Sequence, residues 1–339
     1  MLRVARHDRA VELGVFAESV SMTRMTTTQD WQALSQERQR YEAKRMAVYA
    51  GMVEAMDANI ARLLDYLQRQ GQLANTIFIF TSDNGAEGSG AQDPTAFSAT
   101  ATAANLGYTT DYETLGLKGS FNSINPGFTS AAVGPLSQYK FYVGEGGLRV
   151  PLIISGGIDT LSAGQTRAFS WATDIAATIL GFAGVAPPQG RYGGRPVLPM
   201  TGRDLGPLLR GEVESVYAAH DSVGYELTGH AALFQGEFKI TRNQPPLGDG
   251  QWRLYHLVQD PGETRDLKDA MPERFQAMLE AYGRFEQDNQ VMPNPDGYSQ
   301  TGQIVINMAR ERIGPSILVG LLTILILMPF AVYLRLRRS

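Results

Sequence analysis

The sequence predicts an α/β fold: a mixed sheet flanked by helices, followed by a small antiparallel α+β subdomain. Three observations lead there. A long amphipathic helix over 39–70 runs into the apolar strand "IFIFT", the helix–strand order of half a βαβ unit. A second apolar strand, "VPLII" at 150–154, follows far downstream. After residue 210 the pattern changes to short alternating strands separated by turn residues.

The elements follow in chain order. Met46, Tyr49, Met52, Val53, Met56, Ile60, Leu63, Leu64 and Leu67 recur at three- and four-residue steps, and Gly71 ends the pattern. The methionines read as core filler. A strand over 77–82 follows and ends on "SDNG". Residues 86–136, rich in Gly, Ala, Ser and Thr, read as a long insertion loop with little regular structure. "SWATDIAATILGFAGV" sets Trp171, Ile175, Ile179 and Phe182 on one helix face, with Asp174 as a structural carboxylate among them.

Pro and Gly at 187–211 mark a boundary. "HAALFQGEFKITR" reads as a hairpin around Gln235 and Gly236, and "QWRLYHLV" as a strand with Trp252, Leu254 and His256 on one side. "DPGET" is a turn, and Pro272 opens a final helix of about 17 residues. The organisation is then 1–210 for the α/β body, with 86–136 inserted, and 211–290 for the subdomain. A linker at 291–312, a transmembrane helix at 313–334 and a basic tail at 335–339 complete it.

The helix at 313–334 is expected from an uncharged apolar run, Ile317 to Leu334, long enough to cross a bilayer core at about 1.5 Å per residue. Arg335, Arg337 and Arg338 follow it. The positive-inside rule puts them in the cytoplasm and the body on the periplasmic or extracytoplasmic side of the membrane. The N-terminus has no apolar secretory run, so the expectation is either post-translational insertion or a missing beginning.

Composition excludes several classes. With 43% hydrophobic and 19% charged residues the chain is globular. A formal charge of −4 with no basic stripe argues against nucleic acid as a partner. The absence of cysteine removes disulfides, thiolate metal sites and a cysteine nucleophile.

Chemistry gathers at two places. Asp83 and Asn84 stand at a strand end, where open α/β sheets place their ligand crevice. One carboxylate and one amide oxygen suit a hard cation such as Ca²⁺ or Mg²⁺. Gly85 allows the tight turn that would aim both inward. Asp-Asn-Gly is equally a common turn, and two ligands fall short of the six to eight or so that Ca²⁺ takes. The second place is Lys140, in "YKFYVGEGGLRVP". It reads either as a snorkelling surface residue or as a fixed cation for an anionic group. Glu145 and Arg149 are spaced to pair with each other. His7, His220, His230 and His256 have no metal-ligand spacing.

Four segments taken together resemble the later part of the type I sulfatases, the bacterial arylsulfatases above all. They are "AVYAGMVEAMDANIARLLDYLQRQGQLANTIFIFTSDNGAE", "YKFYVGEGGLRVPLI", "WATDIAATILGFAGV" and "LYHLVQDPGETRDL", spread over most of 30–285. The resemblance implies the alkaline phosphatase superfamily fold. It implies that Asp83 and Asn84 help hold a divalent cation, most often Ca²⁺, with Asp83 near the nucleophile. Lys140 would contact the sulfate and the leaving oxygen, and Glu145, Gly146, Gly147 and Arg149 would be structural. The implied activity is arylsulfatase cleavage of sulfate esters by a formylglycine nucleophile.

The family makes formylglycine from the Cys or Ser of a C/S-x-P-x-R motif, which these 339 residues do not contain. The early Asp pair and the sulfate-binding Lys and His residues of the family are also absent. The chain is therefore expected to be the C-terminal portion of a sulfatase, inactive alone, with the N-terminal half as a candidate partner chain. Two alternatives stand beside this: a membrane-anchored, non-catalytic binding protein, and a phosphate or phosphonate ester hydrolase of the same superfamily.

Overall fold

A computed structural model describes residues 2–23, 25, 28, 30–88, 107–156 and 161–299, with 302, 303, 306, 307 and 323. The chain opens with helix α1 (Leu2–Glu12), which packs on a later helix, α3 (Pro126–Val133). Helix α2 (Gln36–Arg69) begins three residues before the apolar stripe predicts, because the Ser35 hydroxyl accepts the Arg38 N–H at 3.2 Å and caps it. Gly71, at φ +65°, ends it.

Its N-terminal half is anchored by polar contacts. Glu42 is fully buried between Arg38 (2.5 Å) and Arg45 (3.0 Å), and Tyr41 Oη donates to the Thr110 carbonyl at 2.7 Å. The stripe expected to be core is instead exposed at Met52, Val53, Met56 and Leu63.

Strand β1 (Ile77–Thr81) pairs with β2 (Leu152–Gly156), and the pairing is antiparallel, Thr81 opposite Leu152 and Ile77 opposite Gly156. The parallel neighbour that a βαβ unit would supply is not present among the described residues. The local reason is the connection. The chain leaves β1 and re-enters β2 at the same end, where Gly85 N–H donates to Gly147 O at 2.9 Å, so β2 must run back along β1. Phe80 and Ile153 remain exposed on this pair.

The insertion is not devoid of structure. Its described part holds α3, started by Asn125, whose side chain accepts the Phe128 N–H at 2.8 Å, and by Pro126 at the first helical position. A single turn, α4 (Glu145–Leu148), precedes β2. Helix α5 (Asp174–Phe182) follows, then the short pair β3 (Arg191–Tyr192) and β4 (Arg195–Pro196) and the turn α6 (Gly206–Leu209).

The best-packed part is a four-stranded antiparallel sheet in sequential order, β5 (Ser222–Leu227), β6 (His230–Gln235), β7 (Phe238–Arg242) and β8 (Arg253–His256). Helix α7 (Pro272–Asp288) covers one face, where Leu233, Ile240 and Leu254 meet Met278, Ala281 and Tyr282. Strand alternation puts Ala232 and Phe234 on the other face, against Val143, Leu148, Phe169 and Trp171. The sheet is thereby pressed against the segment that carries Lys140.

The expectation of a transmembrane helix at 313–334 is corrected. Among the described residues no helix is long and apolar enough to cross a membrane. The longest, α2, carries Glu54, Asp57, Arg62 and Asp65, charges that hydrocarbon does not accommodate unpaired. Apart from Thr323, residues 313–334 lie outside the described residues, as does the tail at 335–339.

Candidate functional site

The site is built by two segments meeting backbone to backbone. Residues 83–88 leave the end of β1, and residues 137–147 loop past them before β2. Gly85 N–H donates to Gly147 O at 2.9 Å, and Lys140 N–H donates to Ala86 O at 3.1 Å. The approach is close enough to require glycine. A Cβ on Gly85 would lie 1.8 Å from Gly146 O, and one on Gly147 would lie 2.3 Å from Tyr142 O. Thr129 Oγ1 donates to Glu87 O at 3.1 Å and ties α3 to the same corner.

On this frame Asp83 is exposed, Asn84 is half-buried and Lys140 is half-buried. Ser82 Oγ donates to the Asn84 carbonyl at 2.8 Å and shapes the bend that carries the pair. Lys140 Nζ forms an ion pair with Glu87 Oε2 at 2.9 Å and lies 5.5 Å from the centre of the Phe141 ring. Both partners are about one-third exposed, 36% and 35%. Such a pair is worth only about 0–1 kcal/mol, so an incoming anion can displace Glu87 at small cost.

The backbone around Lys140 is unusual. Gln138 (φ +62°) and Phe141 (φ +80°) occupy the left-handed region that non-glycine residues seldom adopt. The loop is held from beneath by a buried charge cluster that the strand pattern does not reveal. Lys239, fully buried on β7, donates to Glu145 Oε1 at 2.8 Å and to Glu263 Oε1 at 2.9 Å. Glu263 Oε2 accepts the Glu145 N–H at 2.8 Å and the Ser137 hydroxyl.

Burial alone would lower the Lys239 ammonium, but the two carboxylates outweigh it and leave its pKa raised. Burial pushes the Glu263 carboxyl up, against the opposing pull of Lys239. Arg149 approaches Glu145 Oε2 at 4.0 Å, the pairing expected from their spacing.

The histidines stay apart. His7 meets Val20 O, His230 accepts the Gln244 N–H at 3.1 Å, and His256 pairs with Glu237 at 3.2 Å. Among the described residues no group of three or more His, Cys, Asp or Glu could hold a metal ion. Asp83 and Asn84 therefore suit a hard cation in chemical kind but not in number. Two surface concavities lie elsewhere, one of about 420 Å³ along Asn59–Arg69 and one of about 210 Å³ around Ala177 and Pro187.

Comparison with known proteins gives the family. The family model described as Sulfatase matches residues 18–185. A sulfatase of Schizosaccharomyces pombe is 32% identical over 302 residues, covering 88% of this chain and 54% of that protein. The arylsulfatase of Klebsiella aerogenes is 33% identical over 202 residues, covering 58% of this chain and 42% of that protein. The chain thus spans about half the length of these curated relatives.

Among solved structures, Ps i-CgsB in complex with k-i-k-neocarrahexaose shares the fold. Its TM-score is 0.52 and its identity 20%, over 89% of this chain and 58% of that one. Through residues 18–185, about half of its length, the chain belongs to the sulfatase family.

Proposed function

We propose that this chain supplies the sulfate-recognition and cation-binding half of a sulfate ester hydrolase, with Asp83, Asn84 and Lys140 as its working residues. The observation that carries the proposal is the pair of backbone bonds, Gly85 to Gly147 and Lys140 to Ala86, which bring a carboxylate–amide pair and a displaceable lysine to one strand end.

Asp83 and Asn84 would hold one side of a divalent cation, Ca²⁺ or Mg²⁺. When bound, that cation would neutralise charge on the sulfate oxygens. Lys140 leaves Glu87 for the ester and meets the negative charge that grows on the leaving oxygen as the S–O bond lengthens. Its pull on that oxygen strengthens to the extent that the bound ester displaces water from the ammonium. Glu87 holds the ammonium in place between turnovers.

Formylglycine does not fit these residues. The 339-residue sequence has no C/S-x-P-x-R motif, so no nucleophilic step is assigned to it. A second reading, in which the chain binds sulfate esters without cleaving them, uses the same three residues.

The test is a chimera in which this chain replaces the part of the Klebsiella aerogenes arylsulfatase that it matches. It should hydrolyse 4-nitrophenyl sulfate in preference to 4-nitrophenyl phosphate. Lys140→Ala or Asp83→Ala should lower kcat/KM by about 10²-fold or more. Preference for the phosphate ester, or full activity in both variants, overturns the assignment. A folded, inactive chimera that still binds the sulfate ester selects the binding reading.

A further inference from the structure

We infer that Lys239 is a positioning residue for Lys140, clamping the loop 137–147 onto the end of β1 from the face of the C-terminal sheet on which the loop packs. This rests on the reading of Lys140 as the sulfate-binding cation, and it adds a residue that the strand-end site does not itself contain.

The physical chain has no gap. Lys239 is 0% exposed on the sheet face turned toward the loop. Its ammonium joins Glu145 at 2.8 Å to Glu263 at 2.9 Å. Glu263 in turn takes the Glu145 N–H at 2.8 Å and the Ser137 hydroxyl, so both ends of the loop end on one carboxylate. Gly146 N–H then donates to Ser137 O at 2.7 Å and closes the loop's neck. Asn243, one residue beyond β7, grips the middle: its side chain accepts the Val143 N–H at 3.0 Å and donates to Gln138 Oε1 at 3.2 Å. From the neck, Gly147 reaches Gly85, and from the tip, Lys140 reaches Ala86.

Strain supplies the second observation. Three of the non-glycine residues at positive φ are Gln138 and Phe141, which flank Lys140, and Glu263 (φ +52°) in the cluster itself. Such conformations persist only where their surroundings over-determine them. A buried ammonium between two carboxylates is a directional and costly device for mere stability, since apolar packing of the same volume serves as well or better. Its geometry sets where the loop sits, and the loop carries Lys140.

The experiment uses the full 339-residue chain as wild type, Lys239→Met and Ser137→Ala. Ser137→Ala is the milder variant, leaving Lys239 paired if Lys239→Met does not fold. Amide hydrogen exchange is followed over 138–147 and over α7. Acetylation of Lys140 is followed with and without inorganic sulfate. Lys239→Met should raise exchange in the loop by about tenfold or more and leave α7 within about twofold, with Ser137→Ala smaller in the same direction. The sulfate needed to protect Lys140 should rise in parallel.

Loop exchange unchanged in both folded variants overturns the inference. An equal rise across α7 also overturns it, because Lys239 would then support stability alone. If sulfate fails to protect Lys140 in the wild type, the sulfate reading falls, and loop exchange by itself still decides the clamp.

Discussion

Gly85 and Gly147 meet backbone to backbone, N–H to O at 2.9 Å, with room for no side chain between them. Everything assigned to the strand end depends on that contact, since it joins the Asp83 turn to the Lys140 loop. A Cβ on Gly85 would stand 1.8 Å from Gly146 O, and backbone cannot rotate away as a side chain can.

Gly85→Ala should therefore destabilise by about 2 kcal/mol or more, in the range of overpacked sites. Gly51, inside α2, is the control, because nothing lies within 4 Å of an added Cβ there. Gly51→Ala should stabilise by about 0.5–1 kcal/mol through helix propensity. Urea midpoints of the two variants check both signs; equal effects would show that the close approach does not exist.

Asp174 is buried and accepts three hydrogen bonds: from the Trp171 N–H (2.6 Å), the Arg203 N–H (2.8 Å) and the Tyr217 hydroxyl (2.7 Å). Asp174→Ala leaves three donors without it and should cost about 3 kcal/mol or more. It touches neither Asp83 nor Lys140, so below its lowered denaturation midpoint sulfate protection of Lys140 should match the wild type. Loss of protection in the folded variant would give Asp174 a part in the site.

Glu263 and Lys239 give the cluster a pH dependence. Burial raises the Glu263 pKa above its unfolded value, so the folded state binds more protons between the two values. Its contribution is full below the ordinary glutamate range and is lost as pH rises through the folded value. Lys239, also raised, keeps its contribution up to the ordinary lysine range and loses it above. Stability of the wild type relative to Glu263→Gln should fall as pH climbs from about 4 toward neutrality. Denaturation midpoints across that span measure it, and a difference that rises with pH would reverse the assigned sign.

Local pattern made much of the fold legible. The three- and four-residue apolar steps announce α2, and the alternation around Gln235 and Gly236 announces β6 and β7. Pro272 marks the start of α7. What was illegible depended on distance along the chain. Nothing in the hairpin pattern marks Lys239, because its partner Glu145 lies 94 residues away.

The antiparallel return of β2 is set by the Gly85–Gly147 contact, which no periodicity encodes. Helix α3 escaped because "PGFTSAAV" has small residues and no apolar stripe, and it starts on its Asn125 cap instead. Asp83, Asn84 and Lys140, the candidate site residues, are visible in the sequence as chemical types, whereas the meeting of their two segments is visible only in three dimensions.

If Asp83 and Lys140 serve one cation–sulfate site, calorimetric titration of Ca²⁺ into the 339-residue chain, with and without sulfate, will read the coupling between them. Sulfate should tighten Ca²⁺ in the wild type, since coupling between two ligands of one site is reciprocal. Asp83→Ala should weaken Ca²⁺ by about tenfold or more, while Lys140→Ala should keep Ca²⁺ and abolish the effect of sulfate. Calcium affinity indifferent to Asp83→Ala, or a sulfate effect that survives Lys140→Ala, would contradict it.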